Sequence, residues 1–93
     1  VRDKAVFEQF LSGKNILVTG AGGTIGGELS RQIAEFAPKQ LVLLESSEFA
    51  LYQIEREVLA RKPDFPVIPV LCDIRDAASV AKVFAQMKPE IVF

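Results

Sequence analysis

Five glycines stand within eight residues, Gly20, Gly22, Gly23, Gly26 and Gly27, between an apolar run and an amphipathic one. Nineteen residues after Gly26 comes Glu45, and further on Asp73 followed by Ile74, each acid closing an apolar stretch. Residue types at these spacings suit the binding of a dinucleotide. Gly20 lets the chain turn sharply off a strand, Gly23 lets backbone reach a pyrophosphate with no Cβ in the way, and Gly26 lets helix and strand pack closely. The helix start then presents unpaired N–H groups and a positive dipole end to the anion. Glu45 is placed to accept hydrogen bonds from the adenosine ribose hydroxyls. Asp73 is placed to accept from an adenine amino group while the next backbone N–H and the Ile74 side chain hold the ring. Acids at strand ends are common and solvation alone accounts for many of them; the upstream loop is what sets Glu45 apart. Ser46, Ser47 and Glu48 include no Arg or Lys to receive a 2′-phosphate, so NAD is favoured over NADP.

No nucleophile–base pair or acid pair can be assembled from the remaining residues, so no catalytic residue is assigned. Glu55, Glu57, Asp64 and Glu90 read as solvated helix faces or loops, and Tyr52 and Lys82 as packing and surface positions. The chain has no histidine and a single cysteine, which argues against a zinc site and a disulfide framework. Cys72 reads as a small buried hydrophobe at a strand end.

Strict alternation of strand and helix patterns must position these groups. Asn15 to Thr19, with Ile16-Leu17-Val18 at its centre, reads as the first strand. Ile25, Leu29 and Ile33 then recur on one face of a helix from Thr24 to Phe36, which Pro38 ends. Gln40 to Glu45 is a strand apolar on both faces, as a covered parallel sheet requires. Ser46 or Ser47 caps the next helix, with Glu48 in its first turn; it carries Phe49, Leu51, Tyr52, Val58 and Leu59 and ends before Pro63. Val67 to Cys72 is a strand that Pro69 assigns to a sheet edge. Asp76 caps a last helix whose Val80, Val83, Phe84 and Met87 read as core, and Ile91 to Phe93 begins a fourth strand. The expected fold is α/β, a Rossmann-type parallel sheet with helices on both faces, first half only, in the order 3-2-1-4. Residues 1–13 form a leading helix (Asp3 to Leu11, with Gly13 at its stop) packed against the sheet or a neighbouring subunit. Residues 14–93 are the first part of the dinucleotide-binding domain.

At 93 residues, 49% apolar and 25% charged, the composition is that of one small globular unit. A net charge of −1 without a basic cluster gives no nucleic-acid partner. No run is long enough to span a membrane. These features lead us to expect a cytoplasmic setting, and a start at Val1 without methionine and a stop inside the strand pattern Ile91-Val92-Phe93 lead us to expect a chain cut at both ends from a longer protein; a homo-oligomer is also expected. An N-terminal region attached to the inner face of a membrane is compatible with that expectation.

The run T-G-A-G-G-T-I-G (Thr19 to Gly26) resembles the loop of extended short-chain dehydrogenases/reductases. With G-G-E-L-S-R-Q-I (Gly26 to Ile33), L-L-E-S-S-E-F-A-L-Y-Q-I (Leu43 to Ile54) and C-D-I-R-D (Cys72 to Asp76), it resembles the CapD-like polysaccharide-biosynthesis branch. That branch comprises nucleotide-sugar 4,6-dehydratases acting on UDP-N-acetylglucosamine. The resemblance spans nearly all of residues 13–93. It implies that Gly20, Gly22, Gly23, Thr24, Ile25 and Gly26 line the pyrophosphate, that Glu45, Ser46 and Ser47 hold the ribose, and that Asp73 and Ile74 hold the adenine of NAD (alternatively NADP). It implies oxidation of the sugar at C4, loss of water across C5 and C6, and hydride return to C6, with the catalytic lysine and sugar pocket in later segments. Two other readings compete. An S-adenosylmethionine methyltransferase also places acids after its second and third strands, though it usually lacks a glycine at the position of Gly26. A non-catalytic dinucleotide sensor needs only the residues present.

Overall fold

The computed structural model describes residues 4–93. The element order is α1 (Lys4–Leu11), β1 (Asn15–Thr19), α2 (Thr24–Ile33) running into a 3-10 turn (Ala34–Phe36), β2 (Gln40–Glu45), α3 (Glu48–Leu59), β3 (Val67–Leu71), α4 (Ala77–Met87) and β4 (Ile91–Val92). The four strands form one sheet in the order β3-β2-β1-β4, every neighbouring pair parallel. This is a Rossmann-type sheet order, as the alternation of strand and helix patterns required.

Alternation along the strands divides the core in two. Ile16, Val18, Leu41 and Leu43 face one side and pack with Ile33 of α2 and with Leu51, Ile54 and Val58 of α3. Leu17, Val42 and Leu44 face the other side and pack with Ile68, Val70 and the α4 residues Val80, Val83, Phe84 and Met87. Because β1 and β2 are covered on both faces, Ile16, Leu17, Val18 and Leu41 to Leu44 are all essentially buried. The α4 residues, expected as core, are only half-buried: among the described residues α4 alone covers that side, and none of its residues is fully enclosed.

Pro69 sits opposite Leu43 on the outer strand, where its missing N–H costs no ladder bond. The regular strand ends at Leu71 instead of Cys72, yet the Cys72 N–H still reaches Glu45 O at 3.0 Å. The helix expected to run to Phe36 tightens to 3-10 geometry over its last three residues. Ala37 then takes a left-handed conformation at φ 51°, since an α-conformation is disfavoured before Pro38. Of the apolar residues of α3, Phe49, Tyr52 and Leu59 are exposed, and Ile54, which belongs to the buried stripe, takes their place.

The leading helix α1 packs on its own domain. Leu11 is buried and the Phe7 ring lies 6.4 Å from that of Phe36, while Val6 and Phe10 remain exposed. No helix among the described residues is long and apolar enough to cross a membrane.

Candidate functional site

The carboxyl ends of β1, β2 and β3 meet at a cleft of about 200 Å³. Gly20, Glu45 and Ser46 line one side of it and Asp73, Ile74 and Arg75 the other, with the buried Leu44 and Cys72 beneath. Such a crevice at the carboxyl ends of parallel strands is where open α/β sheets bind ligands.

The glycine loop is shaped by close approach. Gly20 takes φ +59°, the left-handed conformation that lets the chain leave β1 at a sharp angle. A Cβ on Gly26 would lie 2.1 Å from Gly20 O and 2.7 Å from Gly20 C, so α2 begins directly against the strand-end turn and only glycine fits. A Cβ on Gly22 would lie 2.6 Å from the Ala50 Cβ, so the loop is equally close to α3. That contact between distant segments was not anticipated from the sequence; the small residue at Ala50 was its one sign. At Gly23 a Cβ would meet only Gly20 O at 3.3 Å, leaving the outer side of the loop open.

Gly23 is the N-cap of α2 and offers no side chain to the helix start. Among the described residues the N–H groups of Thr24, Ile25 and Gly26 have no hydrogen-bond partner, as expected of a first helical turn. These donors and the helix dipole are what a phosphate requires. Ile25 is 77% exposed, although the sequence pattern put it on the apolar face with Leu29 and Ile33. The first turn projects past the end of the sheet, so its side chain has no core to enter. Ser30 is fully buried and satisfied, its hydroxyl donating to Gly26 O at 2.7 Å.

Glu45 ties the loop to the next corner. Its Oε1 accepts from the Gly22 N–H at 2.8 Å, and its Oε2 from the N–H groups of Ser46 and Ser47 at 3.1 and 3.0 Å. Of the two candidate caps for α3, Ser47 is the one used, its hydroxyl accepting from the Ala50 N–H. Glu45 and Ser46 therefore border the cleft, whereas Ser47 is committed to the helix.

At the other side Asp73, read as free for an adenine amino group, is engaged by Arg75. Asp73 Oδ1 accepts from the Arg75 backbone N–H at 2.9 Å and from Nε at 3.1 Å, and Oδ2 accepts from Nη2 at 2.8 Å. The side-chain and backbone donors of Arg75 hold the Asp73 carboxyl down at about 2, and the ion pair raises the guanidinium in turn. Arg75 was missed as a site residue; its position two residues from an acid at a strand end was the available sign. Asp76 caps α4 as expected, accepting from the Ser79 hydroxyl and N–H, which also lowers its carboxyl.

The structure thus gathers Gly20, Glu45, Ser46, Asp73 and Ile74 in one cleft, with Gly22 joined to it through Glu45. Gly23, Thr24, Ile25 and Gly26 form the adjacent helix entrance. These groups can cradle an anion, accept from hydroxyls and hold a flat ring; among the described residues no acid–base or nucleophilic pair lines the cleft with them.

The family model described as polysaccharide biosynthesis protein matches residues 16–93. The chain is 35% identical over 94 residues to the capsular polysaccharide biosynthesis protein CapD of Staphylococcus aureus, covering 98% of this chain and 15% of that protein. It is 33% identical to the probable polysaccharide biosynthesis protein EpsC of Bacillus subtilis (strain 168), again over 98% of this chain and 15% of the relative. The chain therefore spans about a seventh of the length of these relatives. Among solved structures, NAD+-bound xylitol dehydrogenase superposes with a TM-score of 0.68 at 28% identity, over 84% of this chain and 30% of that one. A metagenomic short-chain oxidoreductase in complex with NADP gives 0.67 at 26% identity, over 88% and 38%. Sequence and fold converge: this chain belongs to the polysaccharide biosynthesis protein family and has a Rossmann-type parallel sheet.

Proposed function

We propose that this chain is the NAD(P)-binding segment of an enzyme that remodels a nucleotide sugar for polysaccharide synthesis, a 4,6-dehydratase or epimerase acting on a UDP-N-acetylglucosamine-type substrate. The observation that carries the binding role is the glycine corner. Gly20 and Gly26 meet so closely that side chains are excluded, and a helix start with unpartnered N–H groups opens beside the cleft bounded by Glu45. A dinucleotide supplies reversible hydride transfer, which oxidation at C4 and reduction at C6 of a sugar would both use.

Within this chain Gly20, Gly22, Gly23, Thr24, Ile25 and Gly26 would surround the pyrophosphate, with the first-turn N–H groups donating to its oxygens. Glu45 and Ser46, with Ser47 behind them, would hold the adenosine ribose; Asp73 and Ile74 border the adenine end. A carboxylate at Glu45 favours a free 2′-hydroxyl over a 2′-phosphate, so NAD is the preferred cofactor and NADP the alternative. Sugar binding and proton transfer belong to segments beyond these residues, and a homo-oligomer is part of the same proposal.

Calorimetry on the full-length protein tests this. NAD should bind more tightly than NADP, and Gly23→Val should abolish binding of both while the thermal transition stays cooperative, because the branched side chain fills the approach to the pyrophosphate. Unchanged NAD affinity in a folded Gly23→Val protein would refute the assignment.

A further inference from the structure

The outer face of α3 and the neighbouring β3 edge carry a patch that the cofactor cleft does not use. Phe49 is 72% exposed, Tyr52 57% and Leu71 54%. Tyr52, Leu71 and Pro69 line one groove there, with Glu48 and Glu55 beside them. Exposed apolar side chains gathered in one place mark an interface, whereas scattered ones do not. Pro69 has no N–H to offer a further strand, so this edge is covered by side chains and not by extending the sheet.

The charges on this face are arranged symmetrically. Glu48 lies four residues before Tyr52 and Arg56 four residues after it, on successive turns of one side of α3. The Tyr52 ring holds Arg56 to this side, the guanidinium carbon standing 5.5 Å from the ring centroid. Glu48 and Arg56 are about 12 Å apart along the helix axis, too far to pair with each other. Among the described residues neither has an ion-pair partner. When two such helices cross antiparallel at Tyr52, Arg56 of each meets Glu48 of the other. A parallel crossing in register sets like charges together instead.

We propose that this face of α3 pairs with the same face of a second copy, antiparallel about a two-fold axis at Tyr52. The inference rests on the homo-oligomer included in the function proposed above and names its interface. A two-fold contact uses the same patch on both chains, so it requires a self-complementary charge pattern. Phe49, Tyr52 and Leu71 supply the apolar area, and the two Glu48–Arg56 pairs at the rim set the direction. The cofactor cleft stays free, since none of these residues lines it.

Tyr52→Cys tests the axis in the full-length protein, because a residue on a two-fold axis meets its own copy. Mild oxidation should link Tyr52→Cys into a dimer on a non-reducing gel about tenfold more than Gln53→Cys, one residue round the helix. Adding Arg56→Glu should cut the linked dimer by about tenfold, since Glu48 of the second copy then meets a like charge. Adding Glu48→Arg as well should restore it to within about twofold. Sedimentation without the introduced cysteine should follow the same order. NAD affinity by calorimetry should stay within about twofold throughout, as none of these positions lines the cleft. Equal linking of Tyr52→Cys and Gln53→Cys, or no recovery in the exchanged pair, would overturn the proposal. A wild type that sediments as a monomer would overturn it together with the homo-oligomer, while the cofactor role is judged separately by NAD binding.

Discussion

The two corners of the cleft carry similar equipment, an acid at a strand end followed by a capped helix, but they are built in different ways. At the first corner Glu45 is served entirely by backbone N–H groups, and the loop it holds is wedged between β1, α2 and α3 with no room for a Cβ at Gly22 or Gly26. At the second, Asp73 is served mainly by an exposed arginine side chain two residues away. Backbone donors fix a carboxylate wherever the main chain goes, while a solvated ion pair contributes little to stability and moves easily. The first corner is therefore rigid structure that a ligand must match. The second is an adjustable edge.

If the first corner is held by steric closeness, Gly26→Ala should do the most damage. Its Cβ would fall 2.1 Å from a backbone oxygen that cannot rotate away, so chemical denaturation should show a loss of more than about 3 kcal/mol or failure to fold. Gly22→Ala should cost less, about 1–3 kcal/mol, because its Cβ would meet Ala50 less closely, at 2.6 Å from the Cβ and 2.9 Å from the backbone C and O. Ala50→Gly combined with it should recover part of that loss, which would mark the contact as the cause. Glu45→Ala removes the acceptor of three N–H groups and should destabilise by about 1–3 kcal/mol, with Glu45→Gln falling between it and the wild type. A neutral Glu45→Ala would erase the contrast between the corners.

The smallest expected effect lies at the second corner. By NMR the Asp73 carboxyl should titrate at about 2 in the wild type and return toward its ordinary value of 3.8 in Arg75→Gln. Because the folded form holds its proton less tightly than the unfolded one, any stabilisation from the pair is fully present above about 3.8 and is lost as pH falls through about 2. Between pH 5 and 8 the Arg75→Gln protein should be only slightly less stable than the wild type, because the pair is solvent-exposed.

Much of the first corner was readable in the sequence. Apolar runs bounded by polar ends placed β1 and β2 residue for residue, and the glycine spacing identified both the turn at Gly20 and the close approach at Gly26. Those features are local. What the sequence did not disclose depends on chain segments far apart, such as Gly22 against Ala50, or on pairing between neighbours, such as Arg75 with the Asp73 carboxylate. The burial errors share one origin. Periodicity shows which side of a helix is apolar but not how much of it the sheet can reach, so Ile25, Phe49 and Tyr52 counted as apolar positions although each is exposed.

The sheet order also has a consequence for how the chain acquires its fold during synthesis. β1 is made early but occupies an inner position, and its second partner is supplied only by β4, at a sequence separation of 75 residues measured at the Asn15–Glu90 bond. Until then Ile16 and Leu17 present an apolar, unpaired edge to solvent. Side chains at both ends of β1 tie this seam: the Asn15 side-chain amide donates to Met87 O and Lys88 O at the end of α4 while its side-chain oxygen accepts from Gln40 of β2, and the Thr19 hydroxyl donates to Phe93 O. Asn15 thus acts as a register pin for a late, non-local step. Replacing it should slow folding more than it lowers final stability, since entropy lost in closing so long a loop must be met before the seam can form.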